Sequence, residues 1–199
     1  MSDPIDAAVT AVEGGRLVVL PTDTVYGLGA RPDDASATRR IFEAKGRPRD
    51  LELPILVPSI GSATEIVVVD DRARALAARF WPGPLTLVLP RAPASAGWDL
   101  GGDIETLGVR VPRHLLALAV LERTGPLAVT SANRSGQPPA TTCEELHRIF
   151  GQAVEVIVCE ERPLRGAAST VADLAHGAIR VLRVGAVSRA EIDAALEGA

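Results

Sequence analysis

The chain has 199 residues, 47% of them hydrophobic and 23% charged, which suits one packed core and argues against disorder. No stretch approaches the ~18 uncharged apolar residues of a membrane span, and the N-terminus carries acids where a secretory leader carries bases. A soluble, cytoplasmic protein without membrane contact is therefore expected, and a formal charge of -4 argues against one that coats nucleic acid electrostatically.

The first helix is expected over residues 4–14, capped by Asp3, with Pro4 at its first position and Gly14-Gly15 as its stop. Residues 17–20 read as a short buried strand ended by Pro21, and residues 22–29 as a polar, glycine-containing turn. A second helix spans 34–45, capped by Asp33 or Asp34 and closed by Gly46. Residues 53–57 form a strand, with Pro54 arguing against a central ladder position at that residue. Residues 59–70 fit either helix or strand, whereas 71–80 read as a helix stopped by Pro82.

Strands follow at 85–89 and 107–111, joined by a glycine-rich, acidic loop. Helix 113–124 precedes strand 126–130, and a loop at 131–140 leads to a helix opened by the capping box of Thr142 and Glu145. Further strands are expected near 154–158, 169–174 and 178–184, before a last helix opened by a second box, Ser188 and Glu191. Interleaved strands and helices without repeat or linker imply a single α/β domain over 1–199, with a mixed sheet covered by helices.

Counts of single residue types are informative. Of the 21 basic residues 20 are Arg, and the one Lys is Lys45; Asn133 and Tyr26 are also unique. A coding bias toward Arg explains the scarcity, but not which position kept the Lys. A compact ammonium and a guanidinium fork differ where a point charge must reach an anion, so Lys45 is a candidate for a specific role.

Several signatures are missing. There is no P-loop, no G-x-S-x-G elbow, and Pro32 stands where a dinucleotide fingerprint needs its third glycine. His114, His147 and His176 are scattered and read as surface or helix-end residues. Cys143 and Cys159 are too few for a disulfide scaffold, and neither has a C-x-x-C partner, metal-ligand spacing or a basic neighbourhood.

The loops at strand and helix ends are instead rich in hydroxyls and bases: Thr22 and Thr24, Lys45 and Arg47, Arg110, Ser131 and Asn133, Ser169 and Thr170, and Arg183. Such groups hold phosphates and carboxylates, Lys as a point charge, Arg as a fork, hydroxyl and amide as directional partners. Each alone also fits ordinary turn chemistry or a solvated strand edge.

Together, Pro21-Thr22-Asp23-Thr24-Val25-Tyr26-Gly27-Leu28, Lys45-Gly46-Arg47-Pro48, Trp81-Pro82-Gly83-Pro84-Leu85-Thr86-Leu87-Val88, Val109-Arg110-Val111-Pro112, Thr130-Ser131-Ala132-Asn133 and Ser169-Thr170-Val171-Ala172-Asp173 resemble the YrdC/TsaC family of threonylcarbamoyl-AMP synthases. The likeness runs in order over residues 5–190. It implies a YrdC/RibB-like twisted open sheet with a basic central cavity. It also implies a nucleotidyltransferase that joins L-threonine, bicarbonate and ATP, with Mg²⁺, to give threonylcarbamoyl-AMP and pyrophosphate. Partner transferases would then modify an adenosine beside the tRNA anticodon.

Position by position, Lys45, Arg47, Asn133, Thr141 and Arg183 match the family's ATP contacts, and Lys45 and Arg47 its catalytic pair. Thr24, Arg110, Ser131 and Ser169 match its threonine contacts, and no side chain is expected to ligate the metal directly. One departure stands out: Leu51-Glu52-Leu53 replaces the family's Lys or Asn followed by Pro-Leu, and Leu56 stands where some members have His. Glu52, if it faces the cavity, would repel triphosphate unless metal-bound or paired with Arg49. Set against the synthase are an RNA-binding module without chemistry, which six aromatic residues and no basic run disfavour, and a plain α/β scaffold.

Overall fold

The computed structural model describes residues 3–164 and 166–197. Asp3 caps helix α1 (Pro4–Glu13), accepting from the Ile5 N–H, and the chain enters β1 (Val18–Leu20). The segment expected to be a turn contains a strand, β2 (Gly27–Ala30), laid antiparallel on β1. Its Gly-Leu-Gly-Ala sequence has little β-propensity of its own. Pairing on both flanks holds it, and the small residues admit a close neighbour, since a Cβ on Gly27 would lie 2.5 Å from Val129 Cγ1.

Helix α2 (Ala35–Lys45) is capped by Asp34 and stopped by Gly46 at φ 61°, as glycine at that position allows. The strand at β3 (Ile55–Leu56) is shorter than expected, because Pro54 has no N–H to give. The ambiguous segment resolves into α3 (Ile60–Ile66) and an isolated bridge from Val67 to Arg91. Then come α4 (Asp71–Phe80), β4 (Leu85–Pro90), a 3-10 turn (Pro93–Ser95), β5 (Thr106–Arg110), α5 (Leu115–Thr124) and β6 (Leu127–Ser131). The chain ends with α6 (Cys143–Phe150), β7 (Val156–Ile157), β8 (Thr170–Asp173), β9 (Arg180–Arg183) and α7 (Arg189–Glu197). Both expected capping boxes form: Thr142 with Glu145, and Ser188 with Glu191.

The described strands make one open, mixed sheet in the order β7-β1-β2-β6-β3-β5-β4-β8-β9. The pairs β1/β7, β3/β5 and β4/β8 are parallel and the other five antiparallel. Strand alternation divides its two faces. Leu85, Leu87 and Leu89 of β4 and Leu107 and Val109 of β5 join Ile41, Leu76 and Phe150 in the larger core. Truncating such a leucine to alanine costs about 2–5 kcal/mol. On the opposite face α1 and α5 pack Val9, Val12, Val120 and Leu121 against Leu20, Leu56, Leu127 and Val129. Those helices leave the rest of that face uncovered, and there the even-numbered residues of β4 and β5 line a cavity: Thr86, Val88, Gly108 and Arg110. No helix among the described residues is long and apolar enough to cross a membrane.

Candidate functional site

The cavity has a volume of about 570 Å³ and is walled by residues from β2, β3, β4, β5, β6, β8 and β9 and the loops between them. Strand alternation aims Arg110 into it from the end of β5. Its guanidinium is fixed on three sides: Nε donates to Gly83 O (2.9 Å), Nη1 to Thr24 Oγ1 (3.0 Å) and Nη2 to Asp23 Oδ1 (2.5 Å). Burial pulls the Arg110 pKa down, while Asp23 pushes it back up. Thr24 is held in turn by Thr22, whose hydroxyl lies 3.0 Å from its own.

On the same sheet, just before β8, Ser169 shares a 3.0 Å hydrogen bond with Thr86 of β4 and accepts another, also 3.0 Å, from Arg183 Nη2. The Arg183 fork also grips the Ser169 carbonyl at 2.9 and 3.1 Å, so strand β9 presents a guanidinium and steadies a hydroxyl at once. Arg47 anchors itself on the carbonyls of Leu51 and Glu52 at 3.2 and 3.0 Å. Burial lowers the pKa of Arg47 and of Arg183. Buried guanidinium groups remain charged and attract anionic ligands strongly.

The unique Lys45 and Asn133 meet, Asn133 on the cavity wall and Lys45 behind it. Lys45 is 2% exposed, and Nζ donates to Ser131 O, to Asn133 O (2.6 Å) and, more weakly, to Asn133 Oδ1 (3.4 Å). Burial, with Arg47 nearby, lowers its pKa to about 7. The Asn133 carboxamide is consumed within its loop: Nδ2 donates to Arg134 O and Gln137 O, both at 2.8 Å, and Oδ1 accepts from Ser131 Oγ at 2.6 Å. This ammonium therefore braces the loop that carries Ser131 and Asn133.

Of the nine residues singled out from the sequence, Thr24, Arg47, Arg110, Ser131, Asn133, Ser169 and Arg183 line the cavity. Lys45 lies behind it, and Thr141 lies off the wall, its N–H and hydroxyl directed to Glu145 Oε2 at 2.7 and 3.3 Å. Sequence reasoning missed Asp23 as the anchor of Arg110, and Thr86 as the partner of Ser169. Thr86 carried a signal, being the one polar residue among Leu85, Leu87, Val88 and Leu89.

Glu52 does face the cavity, but its partner is Arg91, not Arg49; Arg91 Nη2 donates to Glu52 Oε1 at 2.9 Å, whereas Arg49 pairs with Asp99. Burial pushes the Glu52 pKa up to about 7 against the pull of Arg91. Asp50 and Glu52 are the carboxylates among the described wall residues, and Glu52 is already engaged. Two such groups are too poor a donor set for a dedicated magnesium cage, yet compatible with a cation held mainly by a ligand's phosphates.

Comparison with known proteins agrees with this architecture. A Pyrococcus abyssi threonylcarbamoyl-AMP synthase is 40% identical over 191 residues, covering 95% of this chain and 56% of the relative. A Klebsiella pneumoniae threonylcarbamoyl-AMP synthase is 34% identical over 160 residues, covering 78% of this chain and 84% of its own. The solved structure of P. abyssi Sua5 complexed with L-threonine superposes with a TM-score of 0.88 at 36% identity, covering 98% of this chain and 58% of that one. With the model of the Sua5/YciO/YrdC family, described as telomere recombination, matching residues 10–185, the chain belongs to that family.

Proposed function

We propose that this chain is a threonylcarbamoyl-AMP synthase, a nucleotidyltransferase acting on L-threonine, bicarbonate and ATP. One observation carries the reading: three arginines (Arg47, Arg110 and Arg183) and the hydroxyls of Thr24, Ser131 and Ser169 converge on one cavity large enough for two small anionic ligands side by side. The relatives named for this activity, and the one solved with L-threonine, support it.

The Arg110 fork, with Thr24 and Ser169 beside it, suits the threonine carboxylate; Arg47 and Arg183 suit the triphosphate. The threonine amine adds to bicarbonate with loss of water, giving a carbamate. A carbamate oxygen then attacks the α-phosphorus, and pyrophosphate leaves with the electrons of the broken P–O bond. No nucleophilic side chain is required. The protein's work is to hold two anions in line and to meet the charge that gathers on the phosphate oxygens. Mg²⁺ bound to ATP would spread the charge of the β- and γ-phosphates.

The product's mixed anhydride of carbamate and phosphate suits a downstream transferase acting on tRNA, and a cytoplasmic setting fits that partner. Incubation with threonine, bicarbonate and ATP should yield a threonylcarbamoyl-adenylate by mass spectrometry, dependent on all three. ATP turnover indifferent to threonine, or none at all, would overturn the proposal.

A further inference from the structure

Away from the cavity, Cys143 and Cys159 are joined in one disulfide, a pairing that nothing in their sequence context marked. Sixteen residues separate them, and their Cα atoms lie 5.5 Å apart because the turn after α6 folds back through β7. His147 stands one helical turn beyond Cys143 on the same face of α6, as i and i+4 positions do. The two sulfurs and a ring nitrogen of His147 all lie within 4.8 Å of one another. His147 is exposed and the cysteines half-buried, so this cluster is open to solvent and its reagents.

Two thiolates and an imidazole are a donor set that zinc takes tetrahedrally, with ligand atoms roughly 3.5–3.8 Å apart once Zn–S and Zn–N distances are satisfied. The observed spread needs only small side-chain movements to reach that spacing. A disulfide offers no thiolate, so the two states exclude each other. We propose that the reduced chain binds one Zn²⁺ through Cys143 Sγ, His147 and Cys159 Sγ, with water in the fourth position, and that the disulfide is the metal-free alternative. In the exchange a thiol or phosphine reductant gives two electrons to the S–S bond and is itself oxidised, and two protons from water complete the two thiols. Their protons leave as the metal binds.

The placement gives the site a purpose. Cys143 follows Thr141 and Thr142, and Cys159 precedes the strap that returns to Ser169. That strap is already tied by the Glu160 N–H to the Tyr26 hydroxyl (2.9 Å) and by the Leu164 N–H to the Thr141 carbonyl (2.9 Å). Disulfide or metal, the same two segments beside the cavity stay stapled under either redox condition. This inference stands independently of the reaction proposed above.

The test uses the full chain, reduced with a phosphine and titrated with Co²⁺ as a spectroscopic stand-in for zinc. One equivalent should bring thiolate-to-cobalt bands and tetrahedral visible absorption, which one equivalent of Zn²⁺ abolishes. The oxidised chain should show neither. His147→Ala, at an exposed position, should still form the disulfide but lose at least about tenfold in Zn²⁺ affinity when reduced. Cys159→Ser should roughly halve the charge-transfer bands and weaken Co²⁺ binding, and Cys143→Ser with Cys159→Ser together should abolish the bands. A reduced chain without such bands, or His147→Ala with unchanged affinity, would overturn the site.

Discussion

Asp23 holds Arg110: its Oδ1 accepts from Arg110 Nη2 at 2.5 Å and from the Arg113 backbone N–H at 2.9 Å. One carboxylate oxygen thus joins the loop after β1 to the end of β5, with both charged side chains nearly buried. Asp23→Asn keeps the shape and removes the charge that fixes the fork. Hydrogen bonds to charged groups contribute about 1.5–3 kcal/mol, so the threonine KM should rise roughly ten- to hundredfold while the ATP KM moves little. Steady-state kinetics varying each substrate would read this split, with Arg110→Ala showing the same pattern more strongly. Equal rises in both constants would remove the carboxylate assignment.

The position of Lys45 makes a different prediction. Lys45→Ala should lower adduct formation at least about tenfold, because Ser131 and Asn133 on the cavity wall lose the group that positions them. Because its ammonium braces Ser131 and Asn133, the same change should speed amide hydrogen exchange in residues 131–137. Turnover lost with protection of that loop unchanged would mean the ammonium acts on the nucleotide directly.

Two buried groups should shape stability against pH in opposite senses. Glu52 rises from 4.5 to about 7 on folding, so the folded protein holds the extra proton between those values and stability falls as pH climbs through that window. Lys45 drops from 10.5 to about 7, so the unfolded chain holds the extra proton above neutrality and stability recovers as pH rises toward 10.5. Thermal unfolding across this range should show a dip near neutrality. Glu52→Gln should flatten the acid limb and Lys45→Met the alkaline limb; limbs unchanged in both variants would refute the assignment.

The sequence made the wall residues legible but not their wiring. Alternation in β4 and β5 separates core from cavity, and the rarity of Lys45 and Asn133 marks a real contact between them. Which way the ammonium points depends on a loop 86 residues away, and no local pattern encodes that. Glu52 finds Arg91 and not Arg49 for a similar reason, since the partner 39 residues on is set by how β4 and the loop before β3 pack. Strand β2 was hidden because its stability comes from its neighbours, not from its own side chains.

Gly166 offers a test of the strap itself. A Cβ built there would lie 2.1 Å from the Thr24 carbonyl oxygen and 2.8 Å from its carbon, both backbone atoms with little room to yield. Thr24 Oγ1 in turn receives Arg110 Nη1, so displacement at Gly166 is felt at the guanidinium. Gly166→Ala should destabilise the fold by about 1–3 kcal/mol, the usual range for overpacking, and should raise the threonine KM several-fold. Gly136→Ala is the control for backbone strain alone: its φ of 77° is one that alanine rarely adopts, but a Cβ there meets nothing within 4 Å, whereas Gly166 is not among the positive-φ glycines and its cost is contact. Melting curves and threonine titrations on the two variants separate contact from backbone strain. Equal losses of threonine binding in both would show that the close approach of Gly166 to Thr24 does not govern the site.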